Sequence, residues 1–169
     1  MYIADILYFE GEDYMSYIPN FKFALREDLL MSKNFLPIRR ECKGPGWDVF
    51  AAVGDNKLVI KPGEYFRIPL GFRCLPETGW WYELHARHSF FLNKNIHHMI
   101  GVMDEDYDQE VMLGGQYMPS VTDLRMSDLV ISHGDLVGRM IPFKRVEMKV
   151  EEISNFEFDQ FRRQKMRQS

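Results

Sequence analysis

Cysteine is almost missing from this 169-residue chain: Cys42 and Cys74 are the only two. They have neither the CxxC spacing of a zinc or redox site nor the density of a secreted disulfide scaffold. Reduced thiols in a reducing compartment are the simplest expectation. A basic excess is missing as well, since 21 Lys and Arg stand against 25 Asp and Glu, a formal charge of −4. Proteins that grip duplex nucleic acid by its phosphates carry the opposite balance, so duplex nucleic acid is not expected as a partner. No apolar run approaches the ~20 residues that cross a bilayer, and Met1-Tyr2-Ile3-Ala4-Asp5 has no basic head or cleavage pattern. The expectation is a protein without a membrane partner, working in the cytoplasm. Repeats and low-complexity linkers are absent too, and the length suits one domain with a core of its own.

Short strands fill the chain. Residues 47–53, 57–60, 64–68, 71–74, 81–85, 110–113, 128–131 and 137–143 each read as a strand. Pro62-Gly63, Pro69-Leu70-Gly71, Pro76-Glu77-Thr78-Gly79, Gly114-Gly115 and His133-Gly134-Asp135 separate them as turns. Many short strands at close spacing predict a mainly β sandwich or barrel. Two stretches depart from this. Residues 21–32 place Phe23, Leu25, Leu29 and Leu30 around Arg26, Glu27 and Asp28, which predicts a short amphipathic helix inside an insertion at about 14–34. Ser154-Asn155-Phe156-Glu157 is a capping-box pattern, so residues 154–169 form a tail or helix beyond a β domain at 1–153.

The candidate chemistry lies in four separated pieces. Gly101-Val102-Met103-Asp104-Glu105-Asp106-Tyr107 sets two carboxylates and a ring after an apolar lead, and strand alternation would turn Asp104 and Asp106 to one side. A carboxylate there can activate a water. Asp48 opens a strand after Pro45-Gly46, at a corner that holds a carboxylate rigidly. Arg87-His88-Ser89 supplies a guanidinium, an imidazole and a hydroxyl, all donors suited to phosphate oxygens. Gly134-Asp135-Leu136-Val137-Gly138-Arg139 ends in another cation. His97-His98 looks like a metal pair, but neighbours on a strand point to opposite faces and no third ligand has a recognisable spacing. Each piece is a weak signal alone.

In this order and spacing the pieces resemble the trimeric deoxyuridine triphosphatase (dUTPase) superfamily over roughly residues 36–146. Leu36-Pro37, eight residues and then Gly46-Trp47-Asp48 is similar to that family's first motif. Pro62-Gly63-Glu64, Ile68-Pro69-Leu70-Gly71 and Leu75-Pro76 with Gly79 match the scaffold between motifs. Arg87 to Ser89, Gly101 to Tyr107 and Gly134 to Arg139 fall on the second, third and fourth motifs.

The resemblance implies a jelly-roll-like β-barrel and a homotrimer with sites between subunits. It implies Mg²⁺-assisted attack of water at the α-phosphorus of a deoxynucleoside triphosphate, most directly dUTP to dUMP and pyrophosphate. Asp104 would be the general base and Tyr107 the platform beneath the deoxyribose. Arg87, His88, Ser89, Gly101, Met103 and Arg139 would bind substrate. Asp48 would act behind them, near Arg87 or the metal-bound waters. Asp106 would support the hairpin.

Departures from the family pattern leave alternatives open. His88 stands at a usual serine, Asp108-Gln109-Glu110 follows Tyr107 where Arg-Gly-Glu is usual, and Arg139 replaces a Gln. The C-terminus has no glycine-rich arm, although Phe158, Phe161, Arg162 and Arg163 offer similar side-chain types. The same chemistry on dCTP, dTTP or a modified pyrimidine nucleotide is one alternative, and a non-catalytic binding module on this fold is another. Deamination of dCTP fits less well, because Val111-Met112-Leu113-Gly114 contains no Glu. The unusual tail and insertion would suit a viral or phage enzyme, acting in the host cytoplasm.

Overall fold

A computed structural model describes residues 18–30, 35–40, 46–119 and 127–168. The chain runs β1 (Lys22–Leu25), α1 (Glu27–Leu30), β2 (Ile38–Arg39), β3 (Trp47–Phe50), β4 (Leu58–Ile60), β5 (Tyr65–Pro69), β6 (Phe72–Leu75) and β7 (Trp80–Ala86). It continues with α2 (His88–Lys94), β8 (Ile96–His98), β9 (Gly101–Met103), β10 (Met112–Tyr117), β11 (Leu129–Ile131), β12 (Leu136–Lys144) and α3 (Asn155–Gln168). The expected mainly β fold is present, and every strand pairing is antiparallel. Among the described residues, no helix is long and apolar enough to cross a membrane.

Alternation builds the core. In β5, Phe66 and Ile68 are buried while Tyr65 and Arg67 face out, and in β6 Phe72 and Cys74 are buried while Arg73 and Leu75 are exposed. Each such aromatic or aliphatic side chain contributes about 2 kcal/mol on leaving water. Tyr82, Leu84, Leu113, Ile131 and Met140 close the same cluster from β7, β10, β11 and β12. The largest sheet is ordered β2-β3-β12-β7-β9, beside β5-β10-β8 and two strand pairs, β1-β6 and β11-β4.

The predicted helix over 21–32 is corrected. Lys22–Leu25 is a strand whose Lys22 pairs Leu75 and whose Leu25 pairs Phe72, and only Glu27–Leu30 is helical. An available edge on β6 overrides the local helical pattern. Residues 31–34, and 14–17 of the expected insertion, lie outside the described residues. At the other end the capping box forms: Ser154 N–H donates to Glu157 Oε2 at 2.9 Å and Glu157 N–H to Ser154 Oγ at 3.3 Å. Helix α3 follows, with Phe156, Phe158 and Phe161 all exposed.

Candidate functional site

Register in the five-stranded sheet assembles the first half of the site. Asp48 of β3 lies opposite Arg139 of β12, and Arg139 lies opposite His85 of β7. Asp48 is 1% exposed and is the sole charged residue buried among the described residues. Arg139 donates to its Oδ1 from Nη2 at 3.1 Å and from Nε at 3.3 Å, while Arg87 Nη1 stands 3.6 Å away. A charge this deep is costly without cationic partners, and the sequence supplies two. The turn into β3 requires glycine, because Gly46 has φ +74° and a Cβ there would collide with the Met140 carbonyl.

Arg87 directly follows β7, and its backbone N–H donates to the Val137 carbonyl at 3.0 Å. His88 and Ser89 open α2 and are exposed. A cavity of about 350 Å³ joins Arg87 and His88 to His97 and His98. The paired histidines diverge as alternation requires: His97 is exposed, while the His98 ring lies 6.3 Å from that of His85. His85 Nε2 is 2.7 Å from Glu83 Oε2. Among the described residues, no group of three or more His, Cys, Asp or Glu is placed to hold a metal ion.

The second half of the site forms at β9. The strand ends at Met103, and residues 104–107 make a turn closed by Tyr107 N–H on the Asp104 carbonyl at 3.2 Å. Strand alternation therefore does not govern Asp104 and Asp106. Both nonetheless line a cavity of about 400 Å³ with Trp80, Trp81, Val102, Glu105 and Arg145. Asp104 and Asp106 are exposed. The support expected from Asp106 comes from Glu105, which accepts Gly79 N–H at 2.6 Å and Arg145 Nη1 at 3.0 Å. Met103 is 9% exposed and pairs with Tyr82, so its thioether is packed inward. Gly101 pairs with Leu84.

Tyr107 packs partly against the core, and its hydroxyl donates to the Glu110 carbonyl at 3.1 Å. The Glu110 carboxylate in turn accepts Gly71 N–H at 2.9 Å and Arg26 Nη1 at 2.8 Å. Sequence reasoning missed Arg26, Glu105 and Arg145. Glu110 carried a signal as the acidic residue that the family pattern also has three positions after the tyrosine, but Arg26 is 84 residues away and had none.

The two halves stay apart within one chain. Met103, next to Asp104, faces Tyr82, and the five steps from Tyr82 along β7 to Arg87 just beyond it span roughly 17 Å. An Arg87 side chain does not reach across that distance to a group beside Asp104.

No family model matches the chain. A curated relative, the deoxyuridine 5′-triphosphate nucleotidohydrolase of Leptospira interrogans, is 28% identical over 124 residues, covering 72% of this chain and 80% of the relative. Solved structures of the same fold include a Staphylococcus bacteriophage 80alpha dUTPase mutant, with TM-score 0.66, 14% identity and coverage of 81% of this chain and 97% of that one. A dUTPase mutant from phage phi11 of S. aureus, described with a structural Mg(II) ion, gives TM-score 0.66 at 15% identity, covering 82% and 99%. The 80alpha dUTPase with dUpNHpp gives 0.67 at 15%, covering 82% and 90%.

Proposed function

We infer that this chain, a divergent member of the dUTPase superfamily, is a deoxynucleoside triphosphate pyrophosphatase that hydrolyses dUTP to dUMP and pyrophosphate. The observation that carries the reading is the turn after β9, which presents the Asp104 carboxylate to an open cavity while the Tyr107 ring and hydroxyl are fixed behind it. Asp104 takes a proton from water as the water oxygen bonds to the α-phosphorus. The bond from that phosphorus to the bridging oxygen breaks, and pyrophosphate leaves with the electron pair. Tyr107 lies under the deoxyribose, where its ring leaves no room for a 2′-hydroxyl. The Gly101 and Met103 backbones border the nucleotide.

Arg87 and Arg139, with the exposed donors of His88 and Ser89, bind phosphate oxygens. Asp48 acts through the two guanidiniums: buried and paired with both, it fixes their direction without itself reaching the phosphates. Any contact it makes to metal-bound waters is shared with them. Mg²⁺ is read as travelling on the triphosphate and retaining waters, which suits a chain whose described residues offer no three-donor cluster. When bound, it would neutralise charge on the leaving pyrophosphate.

Assembly follows from the separation along β7. An active site that needs both Arg87 and Asp104 would draw them from neighbouring copies, which supports intersubunit sites; three copies is what the family resemblance implies. We place the activity in the cytoplasm, of the host if the chain is viral.

The test is pyrophosphate release with Mg²⁺ from dUTP, dCTP, dTTP, dATP, dGTP and UTP in parallel, with Asp104→Asn as control. Release from dUTP that disappears in the variant is expected. Release from dCTP or dTTP instead would keep the chemistry and change the base, an outcome for which Asp108 and Gln109, directly after the third motif, give a reason. No release from any substrate would overturn the catalytic reading and leave a binding module.

A further inference from the structure

The turn that carries Asp104 and Tyr107 is tethered to the N-terminal part of the chain by one guanidinium. Arg26, between β1 and α1, donates from Nη1 to Glu110 Oε1 at 2.8 Å and from Nη2 to the Ala52 carbonyl at 2.7 Å. Its Nε and Nη2 also reach the two oxygens of Asp28 at 2.7 and 3.0 Å. The backbone closes the same junction. Arg26 N–H donates to the Gly71 carbonyl at 2.9 Å, and Gly71 N–H donates to the same Glu110 Oε1 that Arg26 holds. Leu29 of α1 is 4% exposed and fills the space over Gly71 where a Cβ would stand. From Glu110 the connection continues through its carbonyl to the Tyr107 hydroxyl, and from the Tyr107 N–H to the Asp104 carbonyl.

We propose that Arg26 is a positioning residue for the reaction, holding Glu110 and through it the Tyr107 ring and the Asp104 turn. The proposal rests on the pyrophosphatase reading above. The segment 104–110 contains Asp104, Glu105, Asp106, Asp108 and Glu110, so its carboxylates repel one another. A cation at its base offsets that repulsion where it matters, beside a carboxylate that is only 25% exposed. The planar fork of arginine is what the junction uses, since it addresses Glu110, Ala52 and Asp28 in fixed directions at once. The cation that the family pattern usually has directly after Tyr107 is absent from the third motif here. Arg26 brings one to the base of the same connection, between β9 and β10, from a distant part of the chain.

The test uses the full chain carrying Arg26→Met, Arg26→Lys, Glu110→Gln and the Met/Gln double substitution. Two readouts are taken: amide hydrogen exchange at Tyr107 and Gly71, and the ratio of kcat/KM for dUTP to that for UTP. In Arg26→Met, exchange at both amides should accelerate and kcat/KM for dUTP should fall on the order of ten- to a hundredfold. The dUTP preference over UTP should shrink, because a displaced Tyr107 ring no longer excludes the 2′-hydroxyl. Arg26→Lys should recover part of each, and Arg26→Met should add little to Glu110→Gln. A folded Arg26→Met variant with faster exchange confined to residues near 26–30, and with activity and sugar preference intact, would overturn the proposal. If Arg26→Met does not fold, graded losses in Arg26→Lys and Glu110→Gln decide the question in the same way. If the unaltered protein releases no pyrophosphate from any nucleotide, the functional reading fails, and exchange at Tyr107 still decides whether Arg26 anchors the turn.

Discussion

Arg139 and Asp48 occupy opposing positions on β12 and β3, with the guanidinium 3.1 Å from a carboxylate that is 1% exposed. The pair is asymmetric, because the Arg139 side chain keeps 26% exposure and Asp48 keeps almost none. Removing the cation leaves a buried charge short of a partner, whereas removing the charge lets the cation turn to water. Arg139→Met should therefore cost about 2–3 kcal/mol, and Asp48→Asn nearer 1 kcal/mol. Urea unfolding of the two variants measures both, and the reverse order would show that the partners remaining without Arg139 suffice to hold Asp48.

Gly71 combines φ +73° with a neighbouring Leu29 and Ala52 that leave no room for a methyl group. Gly71→Ala should destabilise the fold by about 3 kcal/mol, from backbone strain together with overpacking. Gly63 has a comparable φ of +80° but open space around it, so Gly63→Ala should cost roughly 1 kcal/mol. Thermal unfolding of the two variants separates strain from crowding.

Cys74 is 1% exposed, and burial pushes its thiol up to about 12. The thiolate is the reactive form. In a Cys42→Ser background, the native protein should resist an aromatic disulfide reagent at neutral pH and react at once in denaturant. Fast reaction under native conditions would mean that β6 opens readily.

His98 has its proton affinity lowered, first by burial and then by the charge of nearby His85. The unfolded imidazole titrates near 6.5, so above that pH both states are neutral at this site. As pH falls below 6.5 the unfolded chain takes the proton more readily, and stability declines until the folded value is passed. Denaturant midpoints on either side of that pH should show a smaller acid loss in His98→Gln than in the unaltered chain. An equal loss in both would assign the acid sensitivity elsewhere.

Most strands were legible because each presents one face to the core, so Phe66 and Ile68, or Phe72 and Cys74, alternate with exposed neighbours. β8 and β9, at three residues each, are too short for alternation to register. Lys22–Leu25 was misread because its partner, β6, lies some fifty residues on, and pairing rather than propensity decides its state. His88–Lys94 was missed as a helix because its roughly two turns begin one residue after a strand. Asp48, Arg87 and Arg139 were legible as isolated pieces, and the sheet register joins them. The bond from Arg26 to Glu110 had no counterpart in the sequence, because no local pattern encodes a contact across 84 residues.

The length of β7 has a genetic consequence. A chain lacking a working Arg87 still offers Asp104 at the other end of the strand, and a chain lacking Asp104 still offers Arg87. If the proposed homotrimer forms, a mixed ring of two such polypeptides carries one intact site among its three junctions. In such a trimer, co-expression of the two alleles should restore activity that neither supports alone, while a chain carrying both lesions rescues nothing and disables two of the three junctions in a ring it shares with two unaltered copies.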